Sequence, residues 1–187
     1  FTHSQCLVQE VNMAKTNLHN YSVQEKLNKM DIDLIDVTLN LDNANTGAYA
    51  DGDVLFPVTE IPNAVAVNGG SAILQSASII ITGSADGSET GALSVVITSD
   101  STALGIVDNV VLNTNDSTSA VMDGIAGIFS ITNAIDMGVV SVGSKANIGI
   151  VCKAASGSTS LYAFGIAGST NDYEEGSAIL RLGFVKD

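Results

Sequence analysis

Asp42, Asn43, Asn45, Asp51 and Asp53 place oxygen-bearing side chains close together in the chain. Hard oxygen donors gathered in one loop are what a calcium ion takes, roughly six to eight at a time. The order departs from an EF-hand loop, because Ala44 stands where a ligand is needed. Asn113-Thr114-Asn115-Asp116 is a second stretch of similar composition. Asn and Asp also tolerate left-handed backbone and hydrogen-bond to their own turns. Both stretches therefore read as solvated turns, and no metal site is assigned.

Glu60, Glu89, Glu174 and Glu175 could supply the paired carboxylates of glycoside hydrolysis. Sugar sites also want aromatic platforms, and the chain has no Trp and four Tyr. Glu174-Glu175 beside Tyr173 reads as an exposed loop. Nucleophilic catalysis has less support. His3 and His19 are the only histidines, and no Gly-x-Ser-x-Gly elbow is present. Gly165-Ile166-Ala167-Gly168 reads as a strand end and lacks the Lys of a phosphate loop. Two histidines and the distant Cys6 and Cys152 do not make a zinc site. The cysteines could pair, but Cys152 lies in the apolar run Ile148–Cys152 and reads as a small buried hydrophobe. No catalytic residue, cofactor site or metal ligand is assigned, and the chain reads as a non-enzyme.

Charge narrows the partners. From Asp31 to Ser144 there is no Lys, Arg or His, against fourteen Asp and Glu. The cations flank this stretch: Lys15, Lys26 and Lys29 before it, Lys145, Lys153, Arg181 and Lys186 after it. So long a stretch holds no side-chain clamp for phosphate and no imidazole to move protons at neutral pH. The formal charge of −13 argues against nucleic acid, which needs a basic patch. It argues equally against anionic membrane, and no apolar run reaches the length of a spanning helix.

The elements that would position these residues are strands. Hydrophobic residues make up 45% of the 187, enough for a sizeable core. Residues 1–30 read as a polar N-terminal arm. Ser22-Val23-Gln24-Glu25 resembles a capping box, followed by a short helix with Val23, Leu27 and Met30 on one side. Met13-Ala14-Lys15 reads as a natural start, which would make residues 1–12 upstream sequence or a cleaved remnant.

From residue 31 the apolar period becomes two. Residues 32–41 predict a strand. Residues 53–61 predict another, placed at an edge or bulge by Pro57. Val65 and Val67 predict a short further strand. Residues 71–82 read as a central strand partly buried on both faces, and 92–98 as its hairpin partner across a polar turn at 83–91. Segments 107–112, 125–131, 139–142, 148–153, 161–167 and 178–185 complete the set, with loops or turns at 116–122 and 133–137. Ten or so short strands without a helical period between them predict an all-β fold. The expected architecture is a two-sheet β-sandwich, jelly-roll-like, as a single domain over residues 31–187.

Two blocks are less generic. One runs from Val58 through Pro62-Asn63-Ala64 and Asn68-Gly69-Gly70 to Leu74. The other comprises Lys145–Gly149, Lys153–Tyr162 and Ala178–Phe184. Together they resemble a group of small β-rich structural proteins of tailed bacteriophages, over about residues 35–185 apart from a variable middle. The resemblance implies a virion component, a capsid decoration (cement) protein on the outer surface of the head. Its implied partners are the major capsid protein and itself, as a homotrimer. It transfers no catalytic residue. On this reading the acidic body faces solvent and the cationic flanks touch the shell. The expected contacts are Lys15, Lys26, Leu27, Lys29 and Met30 of the arm. The alternative is a tail-fibre or head-fibre module that recognises host glycans. A glycan-active enzyme and a bacterial surface subunit are further alternatives.

Overall fold

The computed structural model describes residues 32–41, 49–82, 91–99, 101, 111, 124–132, 135–138, 140–169 and 176–186. Their strands are β1 (Ile32–Leu41), β2 (Val54–Ile61), β3 (Ser71–Thr82), β4 (Leu93–Thr98), β5 (Ile125–Ile131), β6 (Ile135–Asp136), β7 (Val140–Lys153), β8 (Leu161–Ala167) and β9 (Gly176–Lys186). The expected arm, with its helix and its contact residues Lys15, Lys26, Leu27, Lys29 and Met30, lies outside the described residues.

The strands form two antiparallel sheets, ordered β1-β9-β3-β7-β6 and β2-β8-β4-β5. The pairing is nested: β1 with β9, β2 with β8, β3 with β7, β4 with β5. Folding that nested ribbon over sets β3 beside β9 and β4 beside β8. This is the strand order of a jelly roll, and the expected all-β sandwich is the observed one.

Alternation places the core between the sheets. Val37, Leu39 and Leu41 of β1, Leu74, Ile79 and Ile81 of β3, and Leu180, Leu182 and Phe184 of β9 line one wall. Phe56, Leu93, Val95, Ile97, Phe129, Leu161 and Ala163 line the other. All are buried. Each large aliphatic or aromatic side chain so buried contributes about 1.5–3 kcal/mol. With no Trp and few aromatics, the core is filled by aliphatic side chains, as the composition implies.

Four local expectations differ from the structure. β3 and β4 are not a hairpin: β3 lies between β9 and β7, and β4 belongs to the other sheet. A polar turn between two alternating runs looks the same whether the second run pairs with the first or crosses the sandwich to face it. Residues 62–70 are turns and not a short strand, with Val65 buried and Val67 exposed. Asn63 has a φ of 53°, outside the range of regular strand backbone. The segments expected at 139–142 and 148–153 are one strand, β7. Between the pairs Leu74–Ile150 and Ser76–Ala146, Gln75 of β3 faces Asn147, Ile148 and Gly149 of β7. Asn147 (φ 56°) and Gly149 (φ 72°) take left-handed geometry there, so the strand bulges where its sequence looks like a turn. Within 133–137, expected as loop, Ile135 and Asp136 pair with β7 as the short β6.

Candidate interaction surface

Two of the candidate carboxylates, Asp53 and Glu60, are engaged in structural hydrogen bonds. Asp53 Oδ2 accepts a hydrogen bond from the Ala50 N–H at 2.7 Å. The Asp53 N–H donates to the Ala50 carbonyl at 3.1 Å, closing the same turn. Glu60 Oε1 accepts from the Ser160 hydroxyl at 2.6 Å, tying the end of β2 to the residue before β8. Among the described residues no group of three or more His, Cys, Asp or Glu could hold a metal ion. Asp42, Asn43, Asn45, Glu89, Asn113, Asn115, Asp116, Glu174 and Glu175, like His3, His19 and Cys6, lie outside the described residues.

Cys152 is fully buried at the end of β7. Burial pushes its thiol up to about 11, against a smaller opposing effect of a backbone hydrogen bond from Leu74. A thiol so placed is protonated and shielded, hence unreactive at neutral pH.

The two sequence blocks singled out above meet in space. The turn at 62–70 and the loop at 154–160 lie side by side at one end of the sandwich. The Val65 N–H donates to the Thr159 carbonyl, the Gly69 N–H to Ser158, and the Ala154 N–H to Gly70. Within the blocks, residues 62–70 and 154–160 encode this braced end, while Lys145–Gly149 and Ala178–Phe184 belong to β7 and β9.

The surface feature that sequence reasoning missed is the outward face of the five-stranded sheet. Directly paired residues share a face, so the register assembles rows across strands. One row is Ile32–Val185–Ile73–Val151, contributed by β1, β9, β3 and β7. Next comes Leu34–Gly183–Ser76–Ala146, then Asp36–Arg181–Ser78–Ser144. The fourth is Thr38–Ile179–Ile80–Val142–Ile135, which extends onto β6. The most exposed apolar side chains sit at its lateral edges: Ile32 (54%) and Leu34 (64%) on β1, Val151 (67%) on β7 and Ile135 (67%) on β6. A signal was present in β1, where Ile32 and Leu34 have one parity and the core residues Val37, Leu39 and Leu41 the other.

Carboxylates are nearly absent from the described part of this face. Its charged residues among those described are Asp36, Arg181 and Lys153. Arg181 grips Asp36 in a bidentate pair, Nε to Oδ1 at 2.7 Å and the second guanidinium nitrogen to Oδ2 at 2.8 Å. Those hydrogen bonds hold the Asp36 carboxyl below the usual carboxylate range, with the coulombic attraction of Arg181 adding a smaller share. Lys186 pairs with Asp33 at 2.8 Å. Two of the flanking cations are thus bound to carboxylates of β1 within the same chain.

No family model matches this chain, and no curated protein matches it. Solved structures do. The chain is similar to the acid-stable capsid structure of Helicobacter pylori bacteriophage KHP30, at 13% identity over 82% of this chain and 86% of that one, with a TM-score of 0.30. It is similar to desmodium yellow mottle tymovirus, at 13% identity over 82% and 85%, TM-score 0.25. It is also similar to a subviral particle of the Penaeus vannamei nodavirus capsid protein, at 10% identity over 81% and 92%, TM-score 0.35. No residue role is carried over from these likenesses.

Proposed function

We propose that this chain is a virion structural protein, a capsid decoration protein that sits as a trimer on the outer surface of a phage head. The observation that carries the proposal is the partition of charge. A chain of net charge −13 keeps one whole sheet face nearly free of carboxylates. Such a face suits contact with protein, and the acidic remainder suits permanent exposure to solvent. The antiparallel jelly roll supplies a rigid block for that purpose, and the carboxylates of Asp53 and Glu60 are engaged in structural hydrogen bonds. The sequence blocks that resemble phage structural proteins support the same reading. The proposed shell contacts are Lys15, Lys26, Leu27, Lys29 and Met30, and the proposed shell partner is the major capsid protein.

A decoration protein stabilises by mass action, because it binds the assembled shell and not free subunits. At a free concentration about 100 times its dissociation constant, each site gains about 2.7 kcal/mol. Particles stripped of the chain should therefore release DNA at a lower temperature, and adding it back should restore the original temperature. Identical release temperatures with and without the chain would remove the cementing role.

A further inference from the structure

We infer that the free edge of β1 is a strand-addition site, which takes an extended, basic segment of a partner protein alongside β1 as a further strand of the β1-β9-β3-β7-β6 sheet. The site rests on the decoration reading, under which that segment belongs to the shell. A comparison of the sheet edges singles it out.

An exposed edge offers a row of unpaired N–H and C=O groups, and proteins blunt such edges with proline, bulges or inward-pointing lysines. Three of the described edges are blunted. β2 carries Pro57 and two register shifts against β8. β5 breaks register with β4 between Ile97 and Thr98. On the β7 side, β6 covers only Ser141 and Val142, and β7 then bulges across Asn147, Ile148 and Gly149. Lys145 stands there in the core-facing row Ile35–Leu182–Ala77–Lys145. β1 has none of these devices. Its residues Ile32–Leu41 pair with β9 without a shift and include no proline, glycine or cation. No described strand lies on its other side. Ile35 occupies the β1 end of the row that finishes on β7 in Lys145.

Backbone chemistry and charge select the occupant. Alternate N–H and C=O groups of β1 point away from β9, and an extended polypeptide matches their spacing. A glycan or a nucleic acid does not. Asp33 and Asp36 lie on opposite faces of β1, across from the core residue Phe184 and from Arg181. Each is paired within the chain, yet their side chains stay 55% and 48% exposed. An added strand sets its own side chains about 5 Å from these carboxylates, so acidic residues are repelled there and basic ones three apart are favoured. The net charge of −13 attracts a basic segment over a longer range. A second copy does not fit. Its own unblunted edge among the described strands is β1, which would set the same carboxylates against each other. Ile32 and Leu34 are exposed beside the edge and give the added strand apolar side chains to cover.

Binding of the full chain to particles stripped of it, read by hydrogen exchange at single-amide resolution, tests the site. Alternate β1 amides should exchange fast in the free chain and slowly on the particle. This readout uses wild type and needs no variant to fold. Ile35→Lys gives β1 the inward lysine that β7 carries, and should abolish binding with an unchanged far-ultraviolet circular dichroism spectrum. Val67→Lys, at an exposed apolar position in the 62–70 turn, should bind as wild type does. Asp33→Asn with Asp36→Asn should weaken binding, most strongly at low salt. Unchanged β1 exchange on the particle, or a folded Ile35→Lys chain that binds like wild type, overturns strand addition and spares the decoration reading. Asn variants that bind as tightly as wild type overturn the basic occupant. Wild type that does not bind stripped particles overturns the site and the decoration reading together.

Discussion

Phe184→Ala should lower the free energy of unfolding by about 3–5 kcal/mol, the range for removing a buried aromatic side chain. Phe184 is fully buried on β9, the strand between β1 and β3. It stands across from Leu74, itself fully buried. The surrounding side chains are held in two hydrogen-bonded sheets and have little freedom to collapse into the space. A loss of this size is a large part of the roughly 5–15 kcal/mol that holds a domain folded. Equilibrium urea unfolding measures it, as a lower midpoint at unchanged slope. Val151→Ala, on the outward face, is the comparison and should stay within about 0.5 kcal/mol of wild type. A Phe184→Ala chain as stable as the Val151→Ala chain would mean the sandwich core is assigned to the wrong face.

Gly165→Ala should destabilise by about 1–3 kcal/mol for the opposite reason, overpacking. Gly165 lies on β8, directly across from Phe56 of β2 and Val95 of β4. The Phe56 ring lies over the glycine, and a methyl group at this position would overlap ring atoms. Phe56 is fully buried. Shortening the ring should relieve the clash. Gly165→Ala with Phe56→Leu should be less destabilised than the sum of the two single variants, by about 0.5–3 kcal/mol. Strict additivity in the same unfolding measurement would show that the ring and the glycine do not touch.

These residues also show which parts of the structure local sequence could reveal. The alternation of Val37, Leu39 and Leu41, and of Ala178, Leu180, Leu182 and Phe184, marks β1 and β9 because a half-buried strand repeats every two residues. Pro57 marks β2 as an edge, since it has no N–H to give a second neighbour. Which strands pair was not readable in the same way. Ile32 meets Val185, and Ser71 meets Lys153, over separations that no turn signal bridges. Gly165 read as a strand end, because nothing near it in the chain announces Phe56. β7 read as two strands because Asn147 and Gly149 are turn residues, and a bulge uses the same left-handed backbone as a turn.

The interaction face was hidden for the same reason. Ile32, Val185, Ile73 and Val151 become one row only when the register of four strands is known. Seen singly, each is an unremarkable aliphatic residue in a strand. The sequence directed attention to the cations outside the acidic stretch. The fold ties Arg181 to Asp36 and Lys186 to Asp33, and turns attention to the face on which Asp36 is the one described carboxylate.

The most direct test of the proposed function is immunogold electron microscopy of intact particles, using antibody raised against this chain. Gold distributed over the outside of the heads is the expected result. Gold confined to tails or fibres, or no labelling of intact particles, would contradict a decoration protein on the capsid surface.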